Sequence, residues 1–265
     1  MNAAQYRARI ATPRHPLADC KLYWRSLFFL DVMHILDCKG VAATIYGSLL
    51  STLVRDSRLG PSQQARLRAV NAKLVAFYGR RPGAHRLPTL TLANLTNADG
   101  WRELSGPAIK AANTRAAAPF FAELAMEYYN DDAPAHRDMC RVTRTLSDMY
   151  DIMKSSPMFL DAPSLGRFQT VVSEFGVALQ RLRAWAEDRH ELSWQVRPKA
   201  HKTMHLPFIA SVINPRSVSN YADESQIGTT TRVWKGSVSG RYKAHVQRIV
   251  LAKRLRAVLL RYERG

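Results

Sequence analysis

Between His136 and Lys154 the apolar residues Met139, Val142, Leu146, Met149, Ile152 and Met153 recur at steps of three and four, with no glycine or proline between them. That spacing lines one face of a 3.6-residue helix, and a run this long folds as little else. Other windows repeat it. Gln63–Tyr78 is free of Gly and Pro and predicts a helix burying Leu67, Val70, Leu74, Val75 and Tyr78. Phe168–Asp188 predicts another, burying Val172, Phe175, Leu179, Leu182 and Trp185, and Val41–Val54 carries apolar residues at helical intervals. Gly106-Pro107 opens an alanine-rich helix that Pro119 kinks or restarts. Arg80–Pro88, Asn130–Pro134 and Ser155–Ser164 punctuate these windows as loops. Residues 40–190 therefore read as four to six packed helices. The main strand signal is the short aromatic-rich run Leu27–Leu30.

At 265 residues and 46% hydrophobic, the chain can bury a proper core. Its net charge of +18 points to a polyanionic partner, nucleic acid first and an anionic membrane second. No apolar run reaches membrane-spanning length, and residues 1–16 lack a signal-peptide apolar segment. Cys20, Cys38 and Cys140 form no CxxC and fit a reducing compartment. A soluble intracellular protein is the expectation.

Two stretches carry recognisable chemistry. In Ser193–Gly228, His201 and His205 lie four apart between Pro198 and Pro207, which predicts a short helix over Lys199–Leu206. The i, i+4 spacing puts both imidazoles on one face, as two metal ligands from one element require; one surface and one packed histidine is the plainer alternative. Asp31 and His34 stand three apart, again on one face of a helical turn. Asp31 read alone is equally an N-cap with His34 partly exposed one turn in.

From Arg232 to Gly265 ten Lys/Arg face one acid, Glu263, which is +9 and half the chain's excess. Residues 241–262 have helical period with Val246, Ile249, Val250, Leu255, Val258 and Leu259 on one side. Lys235, Arg241, Lys243, Arg248, Lys253, Arg254 and Arg256 are the candidate phosphate contacts, whose binding falls steeply with salt. A membrane-surface helix is the weaker use of the same pattern.

An Asp-x-x-His near a buried strand, a long helical block, a Pro-Lys-x-His-x-x-x-His element and an Asn-Pro followed by Asp-Glu-x-x-Ile-Gly together resemble the C-terminal half of a DDE transposase. The likeness is to the CACTA-like group, distant relatives of the V(D)J recombinase catalytic subunit. In that family a ribonuclease-H-like core supplies three carboxylates, and a helical insertion separates the third, a helical Glu, from the second. A [Cys/Asp]-x-x-His motif follows the second carboxylate. In the recombinase relatives a Cys pair there joins a His pair before the last Glu to bind structural zinc. The resemblance implies that Asp31, His34, His201 and His205 hold a structural Zn2+, and that Glu224 is the third carboxylate.

The fold so implied is mainly α: a helical insertion-type domain with the remnant of a ribonuclease-H-like core, one short strand and a C-terminal helix. The segments are a lead-in arm (1–21), a core-edge segment with the DxxH motif (22–54), the helical insertion (55–192), and the HxxxH element with the acidic motif and basic C-terminal helix (193–265). Upstream of Asp31 stands a single acid, Asp19, where the family has two carboxylates. Two-metal phosphoryl transfer needs several carboxylates around both ions, so Mg2+ is expected only if the missing ones are supplied. The function implied is that of a transposase-derived DNA-binding fragment, catalytically inactive alone. DNA is its expected partner and the nucleus its compartment, with homo-oligomer formation a further expectation and no membrane. The alternative is a helical nucleic-acid-binding or scaffold protein with no metal site and no transposase chemistry. A stand-alone hydrolase finds no nucleophile–base pair and no Gly-rich phosphate loop in the sequence.

Overall fold

In a computed structural model that describes residues 30–37, 39–56, 60–97 and 99–219, the predicted helical windows form in order. They are α1 (Val41–Arg55), α2 (Gln63–Gly79), α3 (Ala111–Ala116), α4 (Ala118–Tyr129), α5 (Pro134–Ser155), α6 (Ala162–Glu187), α7 (Pro198–Thr203) and α8 (Leu206–Ala210). A π-helical turn over Met33–Asp37 precedes α1, and two 3-10 turns cover Leu92–Leu95 and Pro215–Val218. There is no strand among the described residues, so the mainly α expectation holds. Of the expected strand Leu27–Leu30 only Leu30 is described, and it lies outside regular structure. The chain divides into two units, Met1–Val218 and Ser219–Gly265. The expected C-terminal helix lies outside the described residues.

The helix boundaries follow capping chemistry that the apolar period does not carry. Asp161 accepts the Ser164 N–H at 2.8 Å and Pro163 sits in the first turn, so α6 begins at Ala162, six residues before Phe168. Ser62 caps α2 by accepting from Ala65 N at 3.2 Å. Pro119 restarts the chain: α3 ends at Ala116, and α4 takes the proline in its own first turn. The helix expected at Gly106-Pro107 opens instead at Ala111.

Helices α4, α5 and α6 pack consecutively on one another, and α1 lies against α2, α5 and the π-helical turn. Helix α1 is buried nearly all round, which suits its small and apolar sequence. Residues 103–104 cross it at Gly47, where the Leu104 N–H reaches Ala43 O at 2.8 Å. A Cβ on Gly47 would fall within the backbone of Glu103 and Leu104, so glycine is required there. Tyr46 stacks on Phe121 with centroids 3.9 Å apart. Val75 stands 72% exposed, against expectation, while Phe77 is 1% exposed in its place. At about 100° per residue Leu67, Val70, Leu74, Phe77 and Tyr78 share an arc that Val75 falls outside.

The segment after α6 returns over the body. Trp194 is fully buried, and its backbone N–H donates to Ser48 Oγ at 2.8 Å. Met204 lies so close to Gly176 of α6 that a Cβ there would stand 2.7 Å from its Cε. Asn214, 2% exposed, donates to Met153, Ser156 and Pro157 carbonyls at 2.9–3.2 Å and so closes the C-terminus of α5.

Candidate functional site

The first motif is held by its apolar neighbours. Met33, Ile35 and Leu36 point into the core, which turns His34 outward. The Asp31 carbonyl accepts the Ile35 N–H at 3.0 Å and Asp31 Oδ1 accepts the Met33 N–H at 3.1 Å, so Asp31 does cap the turn. Its Oδ2 meets His34 Nδ1. A carboxylate on Nδ1 leaves Nε2 as the nitrogen with which His34 could hold a metal. Gly40 lets the chain pass directly under the turn, because a Cβ there would fall within the Ile35 and Leu36 carbonyl groups.

The second motif differs from the single helix expected over Lys199–Leu206. Pro198 does open α7, but α7 ends at Thr203 and a second short helix, α8, starts at Leu206 with Pro207 in its first turn. A proline lacks the N–H that a first turn leaves unbonded, so Pro207 starts a helix as readily as it ends one. The face-sharing of the histidines survives the break. His201 and His205 are both exposed, their Nε2 atoms are 3.1 Å apart and their rings meet edge to face with centroids at 4.8 Å. Two nitrogens bound to a tetrahedral zinc at the usual bond length stand about 3.3 Å apart, so this pair fits two adjacent coordination positions. Ala200, Thr203 and Leu206 hold the opposite side against the protein.

Helix α7 packs on the π-helical turn, and Lys199 Nζ donates to the Lys39 carbonyl at 2.9 Å across 160 residues of sequence. The Asp31–His34 and His201–His205 pairs therefore ride on neighbouring elements. They remain two pairs: among the described residues no group of three or more His, Cys, Asp or Glu forms a metal-holding cluster. Glu224 and all seven basic candidates, Lys235 to Arg256, lie outside the described residues.

Three features escaped the sequence reading. Asp37, 2% exposed, accepts the Tyr150 hydroxyl and ties the histidine-bearing turn to α5. Burial first, then the Asp37 and Tyr78 charges, push the nearby Tyr46 hydroxyl well above its ordinary value. Glu103, also buried, takes Arg197 Nη1 at 2.8 Å and Asn97 Nδ2 at 3.1 Å on one oxygen, anchoring the approach to α7. No spacing announces such long-range polar pairs. Cys140 is structural: its thiol is buried against the Ala125 and Tyr129 carbonyls, and burial pushes it up to about 11.

Comparison with family models, curated proteins and solved structures yields no match to this chain.

Proposed function

We propose that this chain is a transposase-derived DNA-binding protein in which one structural Zn2+ ties the Asp31–His34 turn to α7. The observation that carries the reading is the packing of α7 on that turn, which brings two His-containing pairs from distant sequence onto adjoining elements. One carboxylate and three imidazoles are donors zinc accepts, and four protein ligands make a closed, structural site. On this reading Leu27–Leu30 and the C-terminal helix are what remains of a ribonuclease-H-like core, residues 55–192 are its helical insertion, and the basic residues from Lys235 to Arg256 hold phosphates. Two-metal phosphoryl transfer needs several carboxylates around both ions, and residues 1–30 contain one acid, Asp19.

The test is the metal content of the purified full chain, by mass spectrometry, beside His34→Ala, His201→Ala and His205→Ala. One zinc per chain, lost in each variant together with thermal stability, is the expected result. Asp31→Asn separates two roles for the carboxylate: a ligand loses the metal outright, an orienting partner weakens it about 10- to 100-fold. Folded protein without zinc would leave the second reading, a helical nucleic-acid-binding or scaffold protein, which rests on the +18 charge alone.

No helix among the described residues is long and apolar enough to cross a membrane.

A further inference from the structure

We propose that the loop after α2, Arg80 to Arg86, is a second phosphodiester-binding surface of this protein, built to grip a DNA backbone; the proposal rests on the DNA-binding reading and adds a surface to it. Three arginines and His85 fall within seven residues, all four exposed. The nearby carboxylate is Glu123 of α4, shared between Arg80 Nη2 at 3.0 Å and Arg81 Nη2 at 3.7 Å. Arg86 has no carboxylate partner among the described residues. Three cations against one shared anion leave the loop with an excess of positive charge.

A solvated basic loop would show the same charge, but not the same order. The Arg81 guanidinium lies 4.7 Å from the Phe77 ring centroid, and that of Arg86 lies 5.8 Å from the Tyr78 ring. Both rings are buried, at 1% and 4% exposure, so each is a fixed platform. The loop is pinned at both ends. Arg80 and Arg81 N–H groups bond the Phe77 and Tyr78 carbonyls at 3.2 Å, and the Leu87 N–H bonds the Tyr78 hydroxyl at 2.9 Å. Its tip, Gly83, has φ +82 and open space around it. Guanidinium groups restrained in advance lose less entropy on binding, and their planar forks match phosphate oxygens.

The experiment measures duplex DNA affinity of the full chain against salt, for wild type, for Arg80→Ala/Arg81→Ala/Arg86→Ala and for the same three positions changed to Lys. An unchanged unfolding midpoint in each variant certifies the fold. Three lost phosphate contacts lower the slope of log affinity against log salt by about 2.7, equally for unrelated DNA sequences. The Lys variant keeps most of the slope and loses affinity through the missing stacked forks. An alanine variant with wild-type slope and affinity overturns this inference while leaving the DNA reading intact. Wild-type protein that binds no DNA overturns both.

Discussion

The Tyr150 hydroxyl donates to Oδ1 of Asp37 inside the core, joining α5 to the turn that carries His34 across 113 residues of sequence. A buried carboxylate is tolerated where donors meet it, and deleting a donor leaves a desolvation cost of about 1–3 kcal/mol. Tyr150→Phe is therefore expected to lower unfolding free energy by about that amount in urea titration. Asp37→Asn/Tyr150→Phe should cost less than the sum of the single changes, because the residues form one unit. Additive effects would show that the bond contributes nothing of its own.

Two helical glycines should respond to alanine with opposite signs. Gly47 of α1 lies against the Glu103 and Leu104 backbone, which cannot move aside like a side-chain tip. Gly47→Ala is expected to destabilise by about 1–3 kcal/mol or more through overpacking. Gly166 of α6 has nothing near its Cβ position, so Gly166→Ala should gain about 0.5–1 kcal/mol from helix propensity alone. Thermal melts of the two variants decide it.

The long helices were legible because their signal is local. Periodic apolar residues at α1, α5 and α6, with prolines between, state the class and the approximate extent of each helix. The start of α6 lies six residues before the apolar period from Phe168 because Asp161-Ala-Pro163 sets it by capping, a local signal separate from that period. The split of α7 from α8 was not legible, since Pro207 reads equally well as a stop or a start. The candidate site was legible only as two pairs of residues. That α7 rests on the Met33–Asp37 turn depends on contacts between distant segments, which no spacing encodes.

Asp138 supplies a pH signature. Its side chain is 7% exposed, and burial pushes its carboxyl above the ordinary value of 3.8, with Arg181, Arg141 and Arg137 pulling back only in part. The native state therefore holds this proton more tightly than the unfolded chain does. Stability that is present below the ordinary value is lost as pH rises through the raised native one. Asp138→Asn removes that loss. Its stability relative to wild type should climb between about pH 3 and pH 7, with the change placed just above the usual carboxylate range. A difference that is flat with pH would mean that the arginines fully offset the burial.

Asn214 is the residue of the expected Asn-Pro motif with the clearest physical task. Its amide nitrogen reaches three carbonyls at the end of α5, its Oδ1 accepts the Arg216 N–H at 3.0 Å, and its own N–H bonds Met158 O at 2.7 Å. Asn214→Ala strips the side-chain donors from the buried Met153 carbonyl and the part-buried Ser156 and Pro157 carbonyls, and a loss of about 1–3 kcal/mol is expected. Asn214→Asp has a more telling outcome. Ionised, the new carboxylate turns an acceptor toward carbonyl oxygens; protonated, it regains one O–H donor. Its folded-state pKa is thereby raised, so the variant's stability should fall as pH rises from about 4 toward 7, while that of Asn214→Ala relative to wild type stays level across the same range. Chemical denaturation at both pH values measures this. Equal behaviour of the two variants would show that Asn214 acts through packing and that its amide donors do not set the stability of the C-terminus of α5.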